Sequence, residues 1–229
     1  MADKGFLVQL HLHTSDTSRC GHATGAEIAR ACKEAGYDMI VITDHFFNAN
    51  IGCDRDLPWE EKVEYLFRGY RSAKEEGDKI GLIVLKGWET FTNGPEYLTY
   101  GLDEEFLLAN PDIDKVSNAE YLRRVNEAGG FVIHAHPFRK ASYIPDFYPD
   151  AESVEAFEVC NFSHKDPAFD VQAKKLARRY NLIECAGSDS HTTEAIGGGA
   201  MRFPHPLKDS AELIAALRAR EGEVVEKLK

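Results

Sequence analysis

The sequence is short of several things, and each shortage narrows what it can be. Lysine and arginine number 27 against 38 aspartates and glutamates, a formal net charge of −11. An extended nucleic-acid surface needs clustered Lys and Arg for phosphate contacts, so none is expected. An anionic substrate stays open, because bound divalent metals can reverse the local sign. The five cysteines (Cys20, Cys32, Cys53, Cys160 and Cys185) are odd in number and scattered, with no CxxC. They read as reduced thiols of a cytoplasmic protein. There is no signal peptide, membrane-spanning run or lipidation motif, and Met1-Ala2-Asp3-Lys4-Gly5 is expected to lead straight into the first strand. Linkers, low-complexity tracts and internal repeats are missing too. The 229 residues, 43% hydrophobic, are therefore expected to form one domain, 1–229, with a sizeable core.

What is present begins at Phe6-Leu7-Val8-Gln9-Leu10-His11-Leu12-His13-Thr14. Read with period two, Phe6, Val8, Leu10 and Leu12 share one strand face and Leu7, Gln9, His11 and His13 the other. Two imidazoles at i and i+2 can converge on one cation. Alone, they could equally be surface residues; what matters is whether other strands end the same way. Met39-Ile40-Val41-Ile42-Thr43 is a continuous apolar run of the buried parallel kind and ends in Asp44-His45. Ile80–Lys86 leads to Gly87-Trp88-Glu89. Phe131-Val132-Ile133-His134-Ala135-His136-Pro137 carries two more imidazoles, and Leu182–Ala186 leads to Gly187-Ser188-Asp189-Ser190-His191.

Helices fall between these strands. One spans about Gly25–Ala35, with Thr24 and Glu27 forming a capping box and Gly36 ending it. One long helix is opened by Pro58 and stops near Gly77, with Val63, Leu66, Phe67 and Tyr70 on one stripe. Others start at Ser117, span Pro167–Tyr180, and span Ser210–Arg220 before a charged tail. Further strands are expected at Glu96–Tyr100, Val154–Cys160 and near Met201. The alternation implies a parallel sheet with helical crossovers. About seven units, with no glycine-rich phosphate fingerprint after the first strand, favour a closed α/β barrel.

In such a barrel the strand C-termini share one mouth. Seven histidines (His11, His13, His22, His45, His134, His136, His191) lie at or just beyond strand ends, joined by Glu89 and Asp189. Nitrogen and carboxylate donors without thiolates suit Zn, Mn or Fe rather than calcium. They are too many for one ion, and Glu89 can bridge two. Two or three divalent metals about 3.5–4 Å apart would clamp an anionic ester and activate water near neutral pH.

His11-Leu12-His13-Thr14, Ile42-Thr43-Asp44-His45, His134-Ala135-His136-Pro137 and Gly187-Ser188-Asp189-Ser190-His191 resemble, in order, the four motifs of the PHP (polymerase and histidinol phosphatase) superfamily. The resemblance spans His11 to His191. It implies a distorted (β/α)7 TIM-like barrel and a two- or three-metal phosphoesterase. Carried over residue by residue, it implies that His11, His13, Glu89 and Asp189 bind a first metal. Glu89 would bridge to a second ion on His136, with His22, His45 and His191 at a third. Many relatives place another histidine on the strand after the bridging glutamate; Glu96-Tyr97-Leu98-Thr99-Tyr100 has none, so either His134, on the strand face shared with His136, substitutes or the second site is weak. The spacing from His13 to His22 is longer than in histidinol phosphatases.

Arg139 follows His136-Pro137-Phe138 at the mouth and is expected to hold a phosphate bidentately; Asn161 is a further substrate-contact candidate. Asp44 could orient an imidazole. His164 and His205 are expected to face solvent, and the cysteines to be structural. Asp189, Glu89 and Arg139 are thus the catalytic candidates. The expected reaction is hydrolysis of a small phosphomonoester or nucleotide by metal-bound hydroxide. Alternatives are a histidinol phosphatase, a single-stranded-DNA nuclease, an amidohydrolase-type C–N hydrolase and a non-catalytic polymerase accessory domain. Substrate choice is expected to come from the loops Phe46–Pro58, Phe91–Pro95 and Lys140–Pro149.

Overall fold

The structure, a computed structural model, describes residues 5–92 and 94–228. Met1–Lys4, expected to lead into the first strand, and Asn93 of the Phe91–Pro95 loop lie outside the described residues. Nine strands form one sheet: β1 (Phe6–Gln9), β2 (Met39–Ile42), β3 (Ile83–Phe91), β4 (Glu96–Tyr100), β5 (Phe131–Ala135), β6 (Ala156–Asn161), β7 (Ile183–Gly187), β8 (Gly198–Phe203) and β9 (Glu223–Lys227). Their order is β7-β6-β5-β4-β3-β2-β1-β8-β9. The helices are α1 (Gly25–Ala35), α2 (Trp59–Leu66), α3 (Arg68–Ile80), α4 (Glu104–Ala109), α5 (Asn118–Glu127), α6 (Ala168–Arg179) and α7 (Ser210–Arg218).

The sheet curls into a barrel that closes at its upper rim. Leu12 pairs in parallel with Ser190, and the amides of His13 and Asp189 donate to Ser190 O and His11 O, both at 3.0 Å. Lower down, β8 fills the gap by pairing antiparallel with β1. The sequence reading therefore needs correction in strand direction. β1–β2–β3 and β5–β6–β7 are parallel runs, but β4 is antiparallel to both its neighbours. The connection from β3 to β4 is only a short turn, too short for the helical crossover that a parallel pair requires. The result is the distorted barrel expected, with a mixed rather than all-parallel sheet.

Three apolar clusters set the layers. Val8, Leu10, Met39, Val41, Leu98 and Ile133 pack inside the barrel with the side chains of α7. Leu7, Leu12, Ile40, Ile42 and Val84 face outward against α1 and α3. A third cluster, around Trp88, Phe157 and α5, covers the other side. The expected alternation through Leu12 therefore fails. Leu10 points inward and Leu12 outward, because regular pairing stops at Gln9. The Gln9 amide oxygen bridges the break, accepting from His11 N at 3.1 Å and Ser188 N at 2.9 Å. That slip in phase turns His11 and His13 toward the barrel mouth.

The predicted long helix from Pro58 is two helices, α2 and α3, broken at Phe67, whose N–H turns back to Tyr65 O. The charged tail contains an edge strand, β9, whose exposed charges fit an unpaired edge. The capping box of α1 forms as read. No helix among the described residues is long and apolar enough to cross a membrane.

Candidate metal centre

Four side chains converge at the rim. His11 Nε2 lies 3.0 Å from His13 Nε2, 3.3 Å from Glu89 Oε1 and 3.4 Å from Asp189 Oδ1. His13 Nε2 lies 3.3 Å from Glu89 Oε2 and 3.2 Å from Asp189 Oδ1. A tetrahedral ion with bonds of about 2.0–2.1 Å has donor–donor edges of about 3.3–3.4 Å. His11, His13 and Asp189 already have the mutual spacing one ion requires, with Glu89 beside them.

Glu89 reaches beyond that set. Its Oε1 faces His136 Nε2 at 3.1 Å, and its Oε2 faces His45 Nδ1 at 3.1 Å. One carboxylate thus touches four imidazoles. The His13 ring stacks between those of His45 and His191, with centroids 4.3 Å away on each side. Three donor groups result: His11, His13 and Asp189; His11, Glu89 and His136; and His13, His45 and His191. His11, His13, Glu89, His136 and Asp189 are all buried.

The backbone is bent to achieve this. His136 and Asp189 both take left-handed conformations, φ 27° and 51°, rare for residues with a Cβ. Glu158, buried on β6, accepts from His11 Nδ1 at 3.0 Å and from His136 N at 2.9 Å. The first bond fixes the His11 tautomer, leaving Nε2 as the lone-pair nitrogen that faces the cluster. In the same way, His191 Nδ1 donates to Asp189 O at 3.0 Å.

The electrostatics call for cations. Burial works against ionisation of Asp189, yet Arg139 and His11 hold its carboxyl well below the usual range. Burial likewise opposes charge on Glu89, but His11, His136 and His45 hold it low. His13 is pushed down as well, by burial and then by His45 and His191, so its ring is held neutral as a ligand must be. Glu96 is raised to about 7 by burial, with the charge of Glu89 adding to the effect. Its Oε2 lies buried without a hydrogen-bond partner, 3.5 Å from His136 Nδ1. Packed carboxylates, lone-pair nitrogens and an orphaned carboxylate oxygen together fit bound divalent ions.

Three expected site residues are not brought together with the rest. His134 does not share a face with His136: β5 ends at Ala135, and His134 points outward among Tyr97, Phe147 and Phe157. Burial there, then His136, lowers its pKa to about 3. His22 is exposed, and only its backbone N–H touches the region, donating to His191 O at 2.8 Å. Asn161 is buried with its amide occupied, donating to Glu158 Oε2 at 2.8 Å and accepting from Ser163 Oγ at 2.7 Å. It supports the site from beneath and does not line the cavity. Asp44 orients no imidazole; it anchors the loop by accepting from Thr14 N at 2.7 Å and Ser18 Oγ at 2.6 Å. His164 is largely covered and donates to Asp170 Oδ1 at 2.7 Å.

Sequence reasoning missed Glu158, Glu96 as a donor, and Cys20. Glu158 left a signal: an acidic residue at an inward position of the apolar strand Ala156-Phe157-Glu158-Val159-Cys160. Above the cluster opens a cavity of about 400 Å³, walled by Asn48, Phe91, Glu96, Tyr143 and Cys20 together with the donors. Arg139 enters from one side and pairs with Asp189 Oδ2 at 2.5 Å. A larger cavity of about 510 Å³ lies elsewhere, between α6, α7 and β9, away from this chemistry.

The comparisons agree with this architecture. A two-domain protein from Bacteroides vulgatus ATCC 8482, containing a predicted PHP-like metal-dependent phosphoesterase, superposes with a TM-score of 0.71 at 17% identity. The match covers 96% of this chain and 64% of that one, so this chain spans less than two thirds of its length. A family model described as PHP-associated matches residues 171–221, the segment that carries Asp189 and His191. The chain shares its fold with PHP-like metal-dependent phosphoesterase structures. Two other structural neighbours match over nearly the whole chain. A candidate metal-dependent phosphoesterase from Bifidobacterium adolescentis ATCC 15703 has a TM-score of 0.61 at 16% identity, over 93% of this chain and 96% of its own. An amidohydrolase from Chromobacterium violaceum, with bound sulfate and no metal, has a TM-score of 0.56 at 15% identity, over 97% and 98%. No curated protein matches the sequence. The fold places the cluster on the rim, just past the ends of β1, β2, β5 and β7 and near the end of β3.

Proposed function

We propose that this protein is a metal-dependent phosphoesterase that hydrolyses small phosphoesters, phosphomonoesters or nucleotides, with two or three divalent ions held around Glu89. The observation that carries this reading is the shared carboxylate: Glu89 contacts donors on both sides, His11 and His136 through one oxygen and His13 and His45 through the other. His11, His13, Glu89 and Asp189 would hold one ion; His136 with Glu89, next to Glu96, a second; and His45 with His191 a third. Bound there, Zn, Mn or Fe would supply Lewis-acid polarisation of a phosphoryl oxygen and lower the pKa of water toward neutrality.

The chain's own residues do the rest. Arg139 is the one guanidinium on the cavity wall, and its fork suits two phosphoryl oxygens. Ser163 and Asn161 hold it in place, accepting at 2.8 and 3.2 Å. Asp189 faces the first ion's donors with Oδ1 and pairs with Arg139 through Oδ2, which ties the guanidinium to the metal rim. The cavity of about 400 Å³ admits a small ester more readily than a polymer.

The Chromobacterium violaceum neighbour's name also raises C–N hydrolysis. An amidohydrolase-type site uses a bridging lysine, and Lys86, the nearest in sequence to Glu89, instead pairs with Glu104 on α4. This favours phosphoester chemistry. The test is a phosphate-release screen over sugar phosphates, nucleotides and histidinol phosphate, with manganese, zinc or iron supplied. Release that falls at least a hundredfold in Asp189→Ala is expected. Amide hydrolysis without phosphate release from any ester would overturn the reading.

A further inference from the structure

The end of the site that holds His45 and His191 does not receive His22, the donor expected there, because His22 turns to solvent. Another donor occupies the wall at that point. The Cys20 thiol lines the cavity with His45 and His191. Its sulfur lies within hydrogen-bonding reach of both the His191 and the His45 rings. His191 has its Nδ1 engaged at the Asp189 carbonyl, which leaves Nε2 as its free nitrogen, while His45 Nδ1 lies buried without a hydrogen-bond partner.

The loop that carries Cys20 is fixed from both sides. Arg19 N donates to Asn50 O at 3.0 Å and Gly21 N to Ser18 O at 3.1 Å. Gly21 packs so closely on Thr14 that a Cβ there would fall 2.3 Å from the Thr14 carbonyl. The thiol is thus held against the two rings by backbone contacts independent of its own chemistry. The other four cysteines are buried in the core.

Resting on the metal-centre reading above, we propose that Cys20 is a thiolate ligand to the ion held by His45 and His191. The centre is then asymmetric. Its Glu96–His136 end offers oxygen and nitrogen only, while its Cys20 end offers nitrogen and sulfur and selects a thiophilic ion such as zinc. A carboxylate-favouring ion such as manganese belongs at the opposite end.

The experiment is cobalt substitution of the metal-free full chain, read by absorption and by metal count. Wild type should show a near-ultraviolet thiolate-to-cobalt charge-transfer band. Cys20→Ser should lose the band and about one ion per chain, and Cys20→His should keep the ion without the band. Iodoacetamide should label Cys20 in the metal-free protein and be blocked by zinc. Cobalt binding in wild type with no thiolate band overturns the Cys20 assignment alone. The same holds if Cys20→Ser retains both band and count. Failure to bind any divalent ion overturns the phosphoesterase reading along with it.

Discussion

At the scale of single residues, the side chains that do not touch substrate explain most of the geometry. Glu158 ties β6 to the metal rim through His11 and His136. Glu158→Gln should lower divalent-ion affinity roughly 10–100-fold while the fold persists, as for other residues that orient a metal-binding histidine. A chelator competition with circular dichroism as control measures this; unchanged affinity would remove Glu158 from the account. His134 is a second case. Burial in an aromatic pocket, then His136, holds its folded pKa near about 3, below the ordinary 6.5. The unfolded chain therefore binds a proton that the folded one refuses. Stability from this residue is present above about pH 6.5 and falls by up to about 1.4 kcal/mol per pH unit as pH drops toward 3. His134→Phe should flatten that acid limb, seen by comparing urea midpoints of the two proteins from pH 7 to pH 4. Parallel curves would show that His134 is not held neutral.

At the scale of elements, the site depends on how closely α1, α3 and the Thr14 loop approach. Gly69, in the first turn of α3, faces Thr14 and Asp44; a Cβ would sit 2.1 Å from Thr14 Oγ1 and 2.2 Å from Asp44 Oδ2. Gly69→Ala should cost about 1–3 kcal/mol by overpacking, and should weaken ion binding because Asp44 anchors the loop before His22. Chemical denaturation checks the first effect and metal titration the second; a neutral variant would mean the helix can slide away. Much at this scale was legible in sequence. The Thr24–Glu27 capping box, the apolar run of β2 and the Asp44-His45, Gly187-Ser188-Asp189 endings could be read because each is a local signal. The break between α2 and α3 could not, since an apolar stripe continues through it and no proline or glycine marks Phe67. The orientation of His134 was also hidden. Period two puts it beside His136, and only the strand's end at Ala135 and the left-handed turn at His136 part them. In the Cys20–His22 loop, the imidazole was the more obvious ligand by residue type, but backbone pairing to Ser18 and His191 decides which side chain faces inward.

At the scale of the whole molecule, net charge and topology act together. A chain of net −11 repels long polyanions outside the metal rim, by an amount that salt screens over about 8 Å at physiological strength. A small ester meets only the rim and Arg139. It should be cleaved with higher kcat/KM than single-stranded DNA under the same metal and salt, and Arg139→Ala should chiefly raise KM. Preference for the DNA would promote the nuclease alternative. The barrel was foreseeable from its strand-and-helix alternation; the antiparallel β4 and the β8–β9 pair were not, because strand direction is set by connections that residue patterns leave open.

The account turns on one carboxylate held in common by neighbouring ions. Metal stoichiometry of the purified protein and of Glu89→Gln, by elemental analysis on folded samples, tests that most directly. Glu89→Gln keeps the size of the side chain and removes its charge. The account predicts two or three divalent ions per wild-type chain and a loss of at least one in the variant. Equal stoichiometry in the two proteins would contradict it.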